Sequence, residues 1–124
     1  MLNTRALGLA TILGTILQLA MVILGHSNAS IAAMFAVGGM TISLIAGLAY
    51  TLFARGGRTS SLARGGALAG GICALIGIAV SYALGDVPAP VIIFGTPSSA
   101  VTGALGGWIG KFMVRGAGVA AVVV

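Results

Sequence analysis

Acid is almost missing from this chain. Of its 124 residues one is Asp (Asp86), none is Glu, one is His (His26) and one is Cys (Cys73). Each shortage excludes a class of chemistry. Hydrolysis by a pair of carboxylates needs two acids, and one chain supplies one. A Ser-His-Asp set can be written from Ser27, His26 and Asp86. Polar neighbours in turns do not by themselves hold a nucleophile against a base, so no catalytic residue is assigned and no enzyme is expected. His26 has no second His or Cys for company, so no metal site is expected. A single cysteine forms neither an intrachain disulfide nor a thiolate cluster, and Cys73 reads as a small packing residue.

Charge of either sign is scarce. Charged residues make up 6% of the chain and hydrophobic ones 59%, with a mean hydropathy of +1.19. A water-facing domain carries roughly 25% charged residues. The apolar residues gather in four stretches of about the 20 residues that cross a hydrocarbon core. The expected fold is therefore all-α: a single membrane domain over residues 1–124, with four transmembrane helices at about 5–25, 30–55, 64–85 and 91–115. The first stretch, with Arg5 ahead of it and Ser27-Asn28-Ala29 or Ser30-Ile31-Ala32 behind it, also has the outline of a cleavable signal. Its run is longer than a usual signal core, and it is expected to stay as a helix.

What charge there is falls on one side. Arg5 precedes the first stretch, Arg55, Arg58 and Arg64 separate the second from the third, and Lys111 and Arg115 close the fourth. His26 and Asp86 occupy the two opposite gaps. The positive-inside rule puts both termini in the cytoplasm of a multi-pass inner-membrane protein. No acid lies within a span, so proton coupling through an intramembrane carboxylate is not expected. The chain lacks the buried glutamate of small multidrug transporters and the asparagine and phenylalanine signatures of fluoride channels, two families of similar size.

Small residues recur at every fourth position. The third stretch has Gly65, Ala69, Cys73, Gly77, Ser81 and Gly85. The fourth has Gly95, Ser99, Gly103 and Gly107, the second Gly39, Ser43 and Gly47, and the first Ala6, Ala10 and Gly14. Helices in lipid associate by close backbone approach, which such stripes permit. A second set on the fourth helix, Gly106 and Gly110, offers more small surface than one chain is expected to bury, which favours a homo-oligomer. Gln18, the one strongly polar residue deep in the first stretch, fits an interhelical hydrogen bond or a cavity lining. Pro88, Pro90 and Pro97 mark either a broken helix or a kinked one. The fourth helix starts at Thr96-Pro97 as N-cap and first residue, or at Pro90 with a kink at Pro97. Sliding the chain by sixty residues aligns Leu24-Gly25 with Leu84-Gly85 and Arg55-Gly56 with Arg115-Gly116, a faint tandem duplication of a helical hairpin.

The segment from Ser30 to Asp86 resembles conjugation-type pilins, the VirB/TrbC group of type IV secretion. The residues that carry this are Phe53-Ala54-Arg55-Gly56 entering a basic loop and Arg64-Gly65-Gly66-Ala67-Leu68-Ala69-Gly70-Gly71 leaving it. Members have two helices and a cleaved leader, whereas this chain has four stretches. The resemblance implies helical polymerisation, phospholipid bound between subunits, and Arg55, Arg58 and Arg64 facing lipid or a lumen; nucleic acid is a partner only if a conduit forms. The turn from Gly85 to Pro90 is also similar to short bacterial membrane domains of the XapX type, which implies no activity. The sequence thus points to a self-assembling, structural or pore-forming membrane protein, filamentous if pilin-like. A small ion or solute channel and an accessory subunit of a larger membrane complex are the alternatives. Phospholipid is the only bound group expected.

Overall fold

A computed structural model describes the backbone of residues 2–123 and the side chains of residues 2–114, Ala32 apart. Its elements are α1 (Thr4–Ser27), α2 (Ala29–Ala32), α3 (Phe35–Ala54), α4 (Thr59–Ala83) and α5 (Pro90–Val123), with no strand among the described residues. Three of them, α1, α3 and α4, are long and apolar enough to cross a membrane. At 1.5 Å per residue their 24, 20 and 25 residues reach about 30 Å or more. The fourth expected span, in α5, has the length; its N-terminal half carries Gly95-Thr96-Pro97-Ser98-Ser99.

The helix ends differ from the sequence expectation in three places. The basic loop is only residues 55–58, because Leu62 is drawn into the core and α4 begins at Thr59. Arg64 is consequently an exposed helical residue, not a loop one. The second expected helix is divided: Asn28 caps the single turn α2 by accepting from the amides of Ser30 and Ile31 (2.9 and 3.3 Å), and the chain leaves helical geometry at Met34 before α3 starts. Helix α5 begins at Pro90, whose missing N–H is no loss in a first turn. It runs through Pro97, so Thr96 is not an N-cap. It also continues past 115 to Val123, so Arg115-Gly116 is no helix end and that part of the sixty-residue repeat does not hold. Packing of the 116–124 side chains lies outside the described residues.

Two turns are closed by left-handed residues. Gly85 (φ 79°) ends α4, with its amide bonded to the Tyr82 carbonyl and that of Asp86 to the Ser81 carbonyl. Arg55 (φ 59°) makes the equivalent turn after α3, through the amide of Arg55 to Leu52 and that of Gly56 to Thr51. Glycine is the usual residue there, since a Cβ in this conformation costs roughly 1–2 kcal/mol.

Helices α3 and α4 form the centre of the bundle. Each packs on both α1 and α5, which lie on opposite sides and barely meet. The interior is built of small residues: Ala6, Ala10, Ala46, Ala69, Cys73 and Ala74 are buried, with Tyr50 and Leu62 the largest fully buried side chains. Large aliphatic residues such as Ile12, Ile16, Val37, Ile93 and Val101 are exposed. Small inside and large outside is the reverse of a water-soluble core, and it suits a surface solvated by lipid.

The tightest crossings are glycine on glycine. A Cβ placed on Gly103 would overlap the Gly66 carbonyl oxygen, and one on Gly47 or Gly66 would overlap that of Gly103. One on Gly107 would meet the Leu62 carbonyl. Thus α3, α4 and α5 touch backbone to backbone. Thr51 Oγ1 donates to the Gly107 carbonyl (2.6 Å) and Ser43 Oγ to that of Gly70 (3.2 Å), adding polar links between these helices. Gly106 and Gly110 pack on α3, against Leu44, Leu48 and Thr51. Both small faces of α5 are therefore buried within one chain, which removes the surplus that argued for a homo-oligomer.

Candidate functional site

The two ends of the bundle differ in chemistry. At one end the Asn3 amide donates to Tyr50 OH (3.0 Å), Lys111 Nζ donates to Thr59 Oγ1 (2.9 Å), and Gly56 faces Val114. These contacts gather Arg5, Arg55, Arg58 and Lys111 at that end. At the other, His26 Nδ1 and Asp86 Oδ2 lie 2.8 Å apart, joining the end of α1 to the turn before α5. Those two residues are sixty apart in the chain.

Between the acid end and the middle of the bundle lies a cavity of about 490 Å³, lined by residues of α1, α3, α4 and α5. Its apolar wall includes Met21, Phe35, Met40, Ile78 and Phe94. The lining residues farthest along the four helices from the acid end are Gln18, Met40, Ala74 and Ser99; Asp86 and Val87 line it at that end. Beneath it the glycine crossings at Gly47, Gly66, Gly70 and Gly103 close the bundle. The cavity therefore ends blindly. It follows from the packing: α1 and α5 barely meet, and the backbone crossings that draw α3, α4 and α5 together lie in the basic half.

Gln18 forms the floor. Its Nε2 donates to the Gly39 carbonyl (3.2 Å), with Ser43 Oγ at 3.5 Å and Cys73 Sγ at 3.9 Å, tying α1 to α3 and α4. The two readings of Gln18 from sequence are thus both met by one side chain: its amide nitrogen links helices and its body lines the cavity. Ser81, Ser98 and Ser99 add hydroxyls to the wall. Asp86 is the only charged residue among those lining it.

The other sequence-derived residues fall as follows. Gly47, Gly103 and Gly107 are at the tight crossings; Gly65 packs on the Tyr50 ring, and Ala69 is fully buried. Ser43 links α3 to α4 through its hydrogen bond. Gly77 abuts Gln18, and with Gly39, Gly95, Ser81 and Ser99 it lines the cavity. Gly39 is not at a close crossing: a Cβ there would make only ordinary contacts. Arg55, Arg58 and Arg64 are exposed at or near the basic end and do not approach the cavity. Pro88, Pro90 and Pro97 are exposed and do not line it, although their neighbours Val87, Val91 and Ser98 do. Gly66 and Gly70 were not anticipated as packing residues. Their four-residue spacing was the available signal, hidden beside the longer stripe that starts at Gly65.

No protein-family model, curated protein or solved structure matches this chain.

Proposed function

We propose that this chain is a non-enzymatic, four-span membrane protein that takes a small molecule into its cavity from the acid end. It is a solute-binding protein of transporter type, held in the conformation open to that end. The observation that carries this is the blind cavity, wide enough for a small organic molecule and closed beneath by backbone contacts. Helix α5 serves as the fourth span: its glycine faces are occupied by α3 and α4, and Val101, Leu105, Trp108, Phe112 and Met113 remain to face lipid. The basic end lies in the cytoplasm with both termini, and Arg55, Arg58 and Arg64 meet anionic headgroups, each worth about 1 kcal/mol.

The test is saturable binding of 3-phenylpropan-1-ol to the purified protein in detergent, followed by ligand-observed NMR. Ala36 is exposed and lines the cavity. Ala36→Trp should fill the space and abolish binding while the protein still elutes as a folded species. Binding that the tryptophan leaves unchanged places the ligand elsewhere and rejects the proposal.

A further inference from the structure

The polar atoms in the cavity specify its occupant further. Gln18, Ser81 and Ser99 come from α1, α4 and α5, are 2%, 1% and 4% exposed, and line the same space. The amide nitrogen of Gln18 is engaged, but its Oε1 accepts no hydrogen bond among the described residues and faces Gly39 and Gly77. Ser81 Oγ is buried with no partner. The Ser99 hydroxyl has no partner among the described residues either. Helical serines commonly donate to the carbonyl four residues back, as Ser98 does to Phe94 at 2.8 Å. Ser81 and Ser99 do not. Unpartnered hydroxyls also occur at Thr11, Thr15 and Thr96, but none of these lines the cavity. What distinguishes Gln18, Ser81 and Ser99 is that all three line one cavity.

A buried polar group left without a partner is costly, so a ligand that supplies the partner gains what an isostere without it forfeits. The unmet need at the floor is for a donor to Gln18 Oε1, with the Ser99 hydroxyl able to take either role. Among the described residues no full charge stands near the floor to balance an ion. Arg5, Arg55, Arg58, Arg64 and Lys111 are absent from the lining, and the one acid is at the mouth, joined to His26. An ion carried to the floor would lose its hydration without a counter-charge. A carboxylate would in addition meet Asp86 on the way in and acceptor oxygens at the end.

We propose that the cavity binds small uncharged amphiphiles, an alcohol or primary amide on an apolar body, with the donating head on Gln18 Oε1 and the body among Met21, Phe35, Met40, Ile78 and Phe94. This rests on the solute-binding reading and adds the chemical class. The test compares four ligands of one shape: 3-phenylpropan-1-ol, its methyl ether, 3-phenylpropylammonium and 3-phenylpropionate. The alcohol should bind best, the ether about tenfold weaker for want of a donor, the ammonium weaker than the alcohol, and the carboxylate weakest. Gln18→Met should bring alcohol and ether to equal affinity. Because Gln18 also links helices, Ser99→Ala is the second variant and should narrow the same gap. An ether that binds wild-type protein as well as the alcohol means that the space accepts any apolar chain, a lipid tail included. That result overturns the inference while leaving a binding cavity. An ion that binds tighter than the alcohol also overturns it. If none of the four binds, the solute-binding reading itself fails.

Discussion

Glycine 103 shows how much a single hydrogen atom decides in this bundle. Its α-carbon sits where the backbones of α3 and α4 both pass, and no side chain fits between them. Gly103→Ala must push at least one helix away, and it should lower stability by roughly 2 kcal/mol or more, as overpacking does in tight cores. Gly8 is the control. It is helical and nothing lies within 4 Å of its would-be Cβ, so Gly8→Ala should leave stability unchanged or slightly raised. Thermal unfolding of both variants in the same detergent checks the pair. Equal losses would mean that the crossing is looser than described. Gln18 shows the opposite economy: one side chain ties three helices by its nitrogen and leaves its oxygen to the cavity.

The elements were legible where periodicity was long, and not where a few residues compete. The small stripes of α1, α4 and α5 could be read from spacing, because only small residues allow close crossings in lipid. The start of α4 could not. Three serine or threonine residues after two glycines read as loop, yet burial of Leu62 brings Thr59 and Arg64 into the helix. Pro97 reads equally as a start or as a kink in a helix begun at Pro90, and α5 runs from Pro90 through it, packed on α3 and α4. The cavity was not legible beyond Gln18, since it arises from the separation of α1 and α5, which no local pattern encodes. The start of α2 is capped by Asn28. Asn28→Ala removes the acceptor of two amides and should cost about 1 kcal/mol locally. Hydrogen exchange should rise at Ser30 and Ile31 without rising in α4. A uniform rise would show that Asn28 supports the whole bundle instead.

At the scale of the molecule the two ends carry the argument, one basic, the other with a single acid–imidazole pair. Cysteines at the ends report which faces which way. In intact cells Ser27→Cys should react with an impermeant maleimide and Thr59→Cys should not; the reverse pattern would invert the topology. Cys73 is buried and should stay silent in both. The floor of the cavity sets a limit on how the molecule works. A gate made of side chains opens by rotamer changes within nanoseconds. Below Gln18, α3, α4 and α5 meet main chain to main chain at Gly47, Gly66, Gly70 and Gly103, where there is nothing to rotate. Passage between these three helices to the basic end requires whole helices to part, a motion of microseconds to milliseconds or slower. On the proposed solute-binding reading, an occupant exchanges on the side of Asp86, and its release between α3, α4 and α5 to the basic end is a collective event.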